Sequence, residues 1–147
     1  MNKTEHLDEF QLLKRGNVFK HGLFSLGGLL LVNALLYSCG IEWASGKWAE
    51  LTIILFTVAL CCIEFIYYGI YPLTEKRQKF LYYFAGLFGT VAIVSGIYEL
   101  VSEKARIIVD GHIADSVLMI AYGIMFAAIL VAYIIKTKHD ARHEKDE

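Results

Sequence analysis

One carboxylic acid interrupts an otherwise uncharged run, and it is the residue of this chain best placed to do chemistry. Glu64 breaks the 24-residue segment Leu51–Thr74. A charged carboxylate is costly in hydrocarbon, so an acid at that depth is expected to be protonated, paired or in contact with water. Thr57, Cys61, Glu64, Tyr68 and Tyr71 recur at three- and four-residue spacing, which puts them on one stripe of a helix that should face protein. His21 and Tyr83 begin their own runs on the same side and are the expected partners of Glu64. Asn33, Thr57, Ser95 and Tyr122 fall at a common level, roughly 18–22 Å above that side at 1.5 Å per helical residue. Such groups can line a polar pocket or simply hydrogen-bond neighbouring helices together. The chemistry open to Glu64 is reversible binding of a proton or cation. Its structural alternative is a hydrogen-bonded acid that fixes how two helices meet.

Other reactive residue types lack the spacing that chemistry needs. Cys39, Cys61 and Cys62 form no C-x-x-C pair, and the vicinal two point apart on a helix, so they read as small apolar residues. Leu36-Tyr37-Ser38-Cys39 resembles a lipoprotein cleavage box, but Tyr37 is bulky where such boxes take small residues, and an uncleaved first helix is expected. His139 and His143 stand four apart beside Asp140 and Glu144, without a third ligand of fixed geometry, so no metal is expected. His21 and His112 sit at opposite borders, which argues against haem, and no cofactor is expected at all. No nucleophile stands with a base, no two carboxylates are paired and no Gly-rich phosphate loop is present. The chain reads as a non-enzyme.

The elements that carry these residues are four long apolar runs. Besides Leu51–Thr74 there are His21–Ile41, Phe80–Tyr98 and Ser116–Ile135, of 21, 19 and 20 residues. About 20 apolar residues in a helix cross a hydrocarbon layer of roughly 30 Å. The expected fold is therefore all-α, an integral membrane bundle of four helices over about 21–38, 50–71, 80–100 and 115–135. It is flanked by a leader over 1–20 and a charged tail over 136–147. Eleven of the 14 basic residues fall on the two termini and the middle loop, and three on the other two loops. By the positive-inside rule both termini are cytoplasmic, in a multi-pass protein of the plasma membrane. The net charge is −1 and the bases are interleaved with acids, which leaves no basic face for nucleic acid.

Leader, loops and helix faces refine this picture. Thr4 is a plausible N-cap, with Glu5, Asp8 and Glu9 in the early turns, and Leu7, Phe10 and Leu13 could bury in the interface as a short amphipathic helix. Gly16-Asn17 is the expected break before the first span. Trp43 and Trp48 read as interfacial anchors at the outer side, with Tyr67, Tyr68, Tyr71, Tyr82 and Tyr83 as the inner belt and Pro72 ending the second helix. The short inner turn makes the second and third helices expected neighbours. The third helix carries a small-residue seam of Ala85, Gly89, Ala92 and Gly96, and the fourth answers with Ala114, Ala121, Ala128 and Ala132, plus Gly123 and Ala127. Small residues let backbones approach closely, so these faces should meet within one bundle, or else join a homodimer.

From Leu7 to Gly16 the sequence Leu-Asp-Glu-Phe-Gln-Leu-Leu-Lys-Arg-Gly, followed by Phe19-Lys20-His21-Gly22, resembles the start of small uncharacterised membrane proteins of low-GC Gram-positive bacteria. The likeness continues through Asn33-Ala34-Leu35-Leu36 and Gly40-Ile41-Glu42-Trp43-Ala44-Ser45 to Glu64, with Phe10 where that family has Arg. It implies the same location and topology, supplies no reaction, and marks the leader, with Asp8, Glu9, Gln11 and Arg15, as a docking element. Three functions are then in view. The first is a non-enzymatic membrane protein acting on a protein or lipid partner. The second is a small proton-coupled transporter working through Glu64, similar in span number to small multidrug transporters, whose acid lies in the first helix. A membrane enzyme is the third, with nothing arguing for it.

Overall fold

The computed structural model describes residues 9–70, 75–102 and 106–146, with side chains omitted for 75–76 and 143–146. Thr4, Glu5, Leu7, Asp8, Tyr71 and Pro72 lie outside the described residues, as do the side chains of His143 and Glu144. Among the described residues the chain is built of four helices: α1 (Glu9–Ser38), α2 (Trp48–Tyr68), α3 (Glu75–Ser102) and α4 (Asp115–Asp146). A two-stranded hairpin, β1 (Ile108–Val109) and β2 (His112–Ile113), stands between α3 and α4. All four helices are long and apolar enough to cross a membrane, over Glu9–Ser38, Trp48–Tyr68, Arg77–Ser102 and Asp115–Arg142.

Element boundaries depart from the sequence reading at three places. No break occurs at Gly16-Asn17, because α1 runs unbroken through both. Two residues of low helix propensity are carried by the long helix on either side of them. Helix α2 stops at Tyr68 rather than at Pro72. Gly69 takes a left-handed conformation, its N–H donates to Ile66 O at 3.1 Å, and the N–H of Ile70 donates to Phe65 O at 3.0 Å. Those two bonds satisfy the last carbonyls as in a Schellman cap, which only a residue tolerant of positive φ closes cheaply. The charged tail continues α4 as far as Asp146 instead of fraying.

The helices pack in the order α1–α2–α4–α3. Helix α4, not α2, is the main partner of α3: the expected meeting of their small-residue faces is found, while the expected α2–α3 neighbourhood is reduced to Tyr82, which shares a buried cluster with Ala59 and Ile66. The reason lies in backbone approach. A Cβ on Gly89 would sit 2.7 Å from Gly123 O and 2.9 Å from Ala127 N, and one on Gly96 would sit 2.7 Å from Ser116 O. The two backbones touch where both helices lack side chains, and dispersion over that seam outweighs the chain's economy in a short turn. Gly86 and Gly123 belong to the same seam. Among the described residues edge helix α1 packs chiefly against α2, and large side chains such as Leu23, Phe24 and Leu31 stay exposed along it, a surface suited to hydrocarbon.

Beyond the spans the two loops opposite the chain termini join. Asp110 and Gly111, with φ of 51° and 86°, form the two-residue turn of the hairpin, a conformation that Asp-Gly favours. Strand β2 then meets the α1–α2 loop: Ile113 N–H donates to Trp43 O at 2.9 Å, and Ala44 bridges to Ile113.

Candidate functional site

The α1–α2 seam gathers most of the polar residues that sequence spacing singled out. The helices are antiparallel, so α1 positions fall as α2 positions rise along it. Gly22 sits over Cys61, where a Cβ would lie only 2.5 Å from Sγ. That lost side chain lets α1 come close enough for the next contact. His21 Nδ1 lies 3.1 Å from Glu64 Oε1 and 3.3 Å from Oε2. With Nδ1 protonated the imidazole donates to the carboxylate, giving the acid within an apolar run the partner it needs. The pair is not sealed: the side chains are 60% and 36% exposed. Of the two expected partners His21 is the one used, whereas Tyr83 stacks edge-on against Tyr133 at 6.2 Å.

Around this pair the seam is apolar on one side and cationic on the other. Val18, Phe65 and Ile70 form a buried cluster with Cys61 packed against it. Phe19 meets Phe65 edge-on at 5.5 Å. Thr57 is buried and returns its hydroxyl to Ile53 O at 2.9 Å, so it offers no free donor to Glu64. Tyr68 receives the ammonium of Lys14 over its ring at 4.8 Å, and Lys14 also stands 5.3 Å over Phe10. Arg15 lies 5.8 Å over Phe19. Glu9 and Gln11 are exposed on the first turn of α1.

Asn33 does not join this site. Its Oδ1 accepts the indole N–H of Trp43 at 2.7 Å, one end of the molecule away from Glu64. Tyr122 and Thr52 bond at 2.8 Å; Thr52 donates to Trp48 O at 2.7 Å, so the phenol donates to Thr52. Ser95 is exposed. The level shared by Asn33, Thr57, Ser95 and Tyr122 is thus no polar pocket but separate local bonds, because equal height on four helices does not make their faces converge. Trp43 is half-buried and Trp48 lies 6.2 Å from Tyr122, so both indoles serve contacts within the protein rather than a lipid belt alone.

Two polar contacts were not singled out by sequence reasoning. Gln78 is buried with its amide donating to the Tyr82 hydroxyl, while its Oε1 is buried without a partner among the described residues. His112 donates from Nδ1 to Glu42 O at 2.8 Å across the joined loops. The i,i+4 spacing of Gln78 and Tyr82 on α3 is a local pattern, but its burial, like the contact of His112, depends on which elements meet. No group of three or more His, Cys, Asp or Glu is arranged to hold a metal among the described residues. Of the small-residue positions on α3, Gly89 and Gly96 are buried against α4, while Ala85 and Ala92 lie at its half-buried margin. Compared with family models, with curated proteins and with solved structures, the chain matches none of them.

Proposed function

We propose that the chain is a non-enzymatic, multi-pass protein of the plasma membrane, with both termini cytoplasmic, that works by engaging a protein or lipid partner through its cytoplasmic end. One observation carries this. Helices α1 and α4 have 30 and 32 residues, whereas about 20 cross the hydrocarbon. The surplus of both helices projects from the same end if all four span, since alternate spans reverse direction. On α1 that projection exposes Phe10, Leu12 and Leu13 together with basic residues, a composition suited to a partner or a headgroup layer. The eleven basic residues counted for that side support the cytoplasmic assignment. The likeness of the leader to small membrane proteins of low-GC Gram-positive bacteria agrees with a docking role for Glu9, Gln11 and Arg15. A photo-crosslinking residue in place of Gln11 is expected to give a discrete adduct in cells. Removal of Met1–Arg15 should abolish capture while the spans still insert. An unchanged capture pattern after that truncation would sink the reading.

The His21–Glu64 contact favours a second reading, a small proton-coupled transporter. A solvent-touched carboxylate held by one imidazole at the seam of an edge helix can exchange a proton as the seam moves. Proteoliposomes that move no proton with any cationic or anionic solute tested would remove its support.

A further inference from the structure

We propose that the mouth of the α1–α2 seam, built from Lys14, Arg15 and Tyr68, binds the phosphate of an anionic phospholipid headgroup. The inference rests on the reading of α1 and α2 as membrane spans and names the partner of their cytoplasmic border. Lys14 is held rather than free: its ammonium lies 4.8 Å over Tyr68 of α2 and 5.3 Å over Phe10 of its own helix. Arg15 is held 5.8 Å over Phe19, whose ring is wedged against Phe65 of α2 at 5.5 Å. Both cations are therefore biased in position by aromatic rings of α1 and α2, which lowers the entropy lost when a ligand orders them. Neither has an acidic partner among the described residues, because the carboxylate within the seam, Glu64, is taken by His21 at 3.1 Å. Among the described residues the two charges have no counter-anion.

Their height brings them within side-chain reach of a phosphate. Lys14 and Arg15 stand seven and six residues before His21, where the uncharged run begins, or about 9–11 Å outside it along the helix. The headgroup layer is roughly 5–8 Å thick on each side of the hydrocarbon, so both backbone positions lie at its outer edge and the long Lys and Arg stems meet a phosphate from the water side. A guanidinium offers a fork to phosphate oxygens, and an ammonium adds a point charge. Tyr68 and the exposed Tyr67, 5.3 Å apart, give the ring-and-hydroxyl surface that sits at headgroup level. Lys14 near the end of α2 also complements that helix's dipole, so the test needs a readout that stabilisation of α2 alone would leave unmoved.

Full-length chain is reconstituted in phosphatidylcholine nanodiscs with and without phosphatidylglycerol, and retained lipid is counted by native mass spectrometry. Wild type is expected to retain phosphatidylglycerol selectively. K14Q and R15Q should each lower that selectivity about fivefold, the effect of one cation near an anionic surface, and K14R should restore it. Retention of phosphatidylcholine should not change with any of these. Equal retention of the two lipids by wild type, or undiminished selectivity in the K14Q/R15Q double variant, overturns the proposal. Displacement of the lipid by added inorganic phosphate overturns the lipid assignment in favour of a soluble anion. A chain that fails to enter nanodiscs at all counts against the membrane reading instead.

Discussion

Glu64 and His21 meet at a seam that is partly open to solvent, and the degree of opening sets what each substitution should do. The pair is 60% and 36% exposed on its two side chains, so its mutual attraction is screened and contributes on the order of 0.2–1 kcal/mol. His21→Ala is therefore expected to leave the fold intact, with a stability loss within that range by chemical unfolding in detergent. Glu64→Gln keeps a hydrogen-bonding partner for the imidazole but removes the exchangeable acid. It should leave thermal stability nearly unchanged and abolish any proton-dependent flux in proteoliposomes, which separates the transporter reading from a purely structural Glu64. A larger structural loss from Glu64→Gln than from His21→Ala would show that the acid serves helix packing instead. The reach of sequence reasoning is clear at this scale. Helical spacing placed Thr57, Cys61, Glu64 and Tyr68 on one stripe, and that stripe does face α1. Asn33 was grouped with them by height alone, and it bonds Trp43 instead.

Among the elements, the α3–α4 seam has the least slack. A methyl group on Gly89 would meet backbone atoms at 2.7 and 2.9 Å, and backbone can give way only by separating the helices. Gly89→Ala is expected to destabilise by about 1–3 kcal/mol, the usual cost of overpacking a close contact. Gly28→Ala on α1 meets nothing within 4 Å. It should gain about 0.5–1 kcal/mol through helix propensity. Unfolding of the two variants in parallel checks both signs, and an unaffected Gly89→Ala would contradict the close approach of α3 and α4. Order within the molecule can be checked by cross-linking. An ideal Cβ on Gly86 lies 3.0 Å from the Cβ of Leu130, near the separation a disulfide needs after a small shift. In a background without native cysteines, Gly86→Cys with Leu130→Cys should oxidise to a cross-linked monomer.

On the scale of the whole molecule, the four helices and the joined loops give Cys39 and the α4 tail opposite addresses. Cys39 is exposed just beyond α1, whereas Cys61 and Cys62 are partly buried within α2. Under the proposed orientation a membrane-impermeant maleimide applied to intact cells should modify Cys39 and spare the other two. A cysteine introduced by Asp140→Cys should react only after permeabilisation. The reverse pattern would invert the topology while leaving the fold untouched. The same orientation places the exposed Phe10, Leu12 and Leu13 of α1 beside the cytoplasmic leaflet, where both the partner reading and the lipid site require them.

By itself the sequence determined four helices long and apolar enough to cross a membrane and the acid that needs a partner. Each of these follows from length, hydropathy and 3.6-residue periodicity, which are local properties of the chain. It also located the small-residue face of α3 but not its full membership, since Gly86 completes the seam off the chosen spacing. The sequence offered α3 two neighbours, α4 through the small-residue faces and α2 through the short turn, and tertiary structure decided between them. The preference of α3 for α4 over α2 depends on two backbones fitting at Gly89 and Gly123, a matter of shape across 34 residues of chain. The partner of Glu64 was narrowed by sequence to His21 or Tyr83 and then chosen by that same order: α1 lies against α2, while Tyr83 meets Tyr133 of α4.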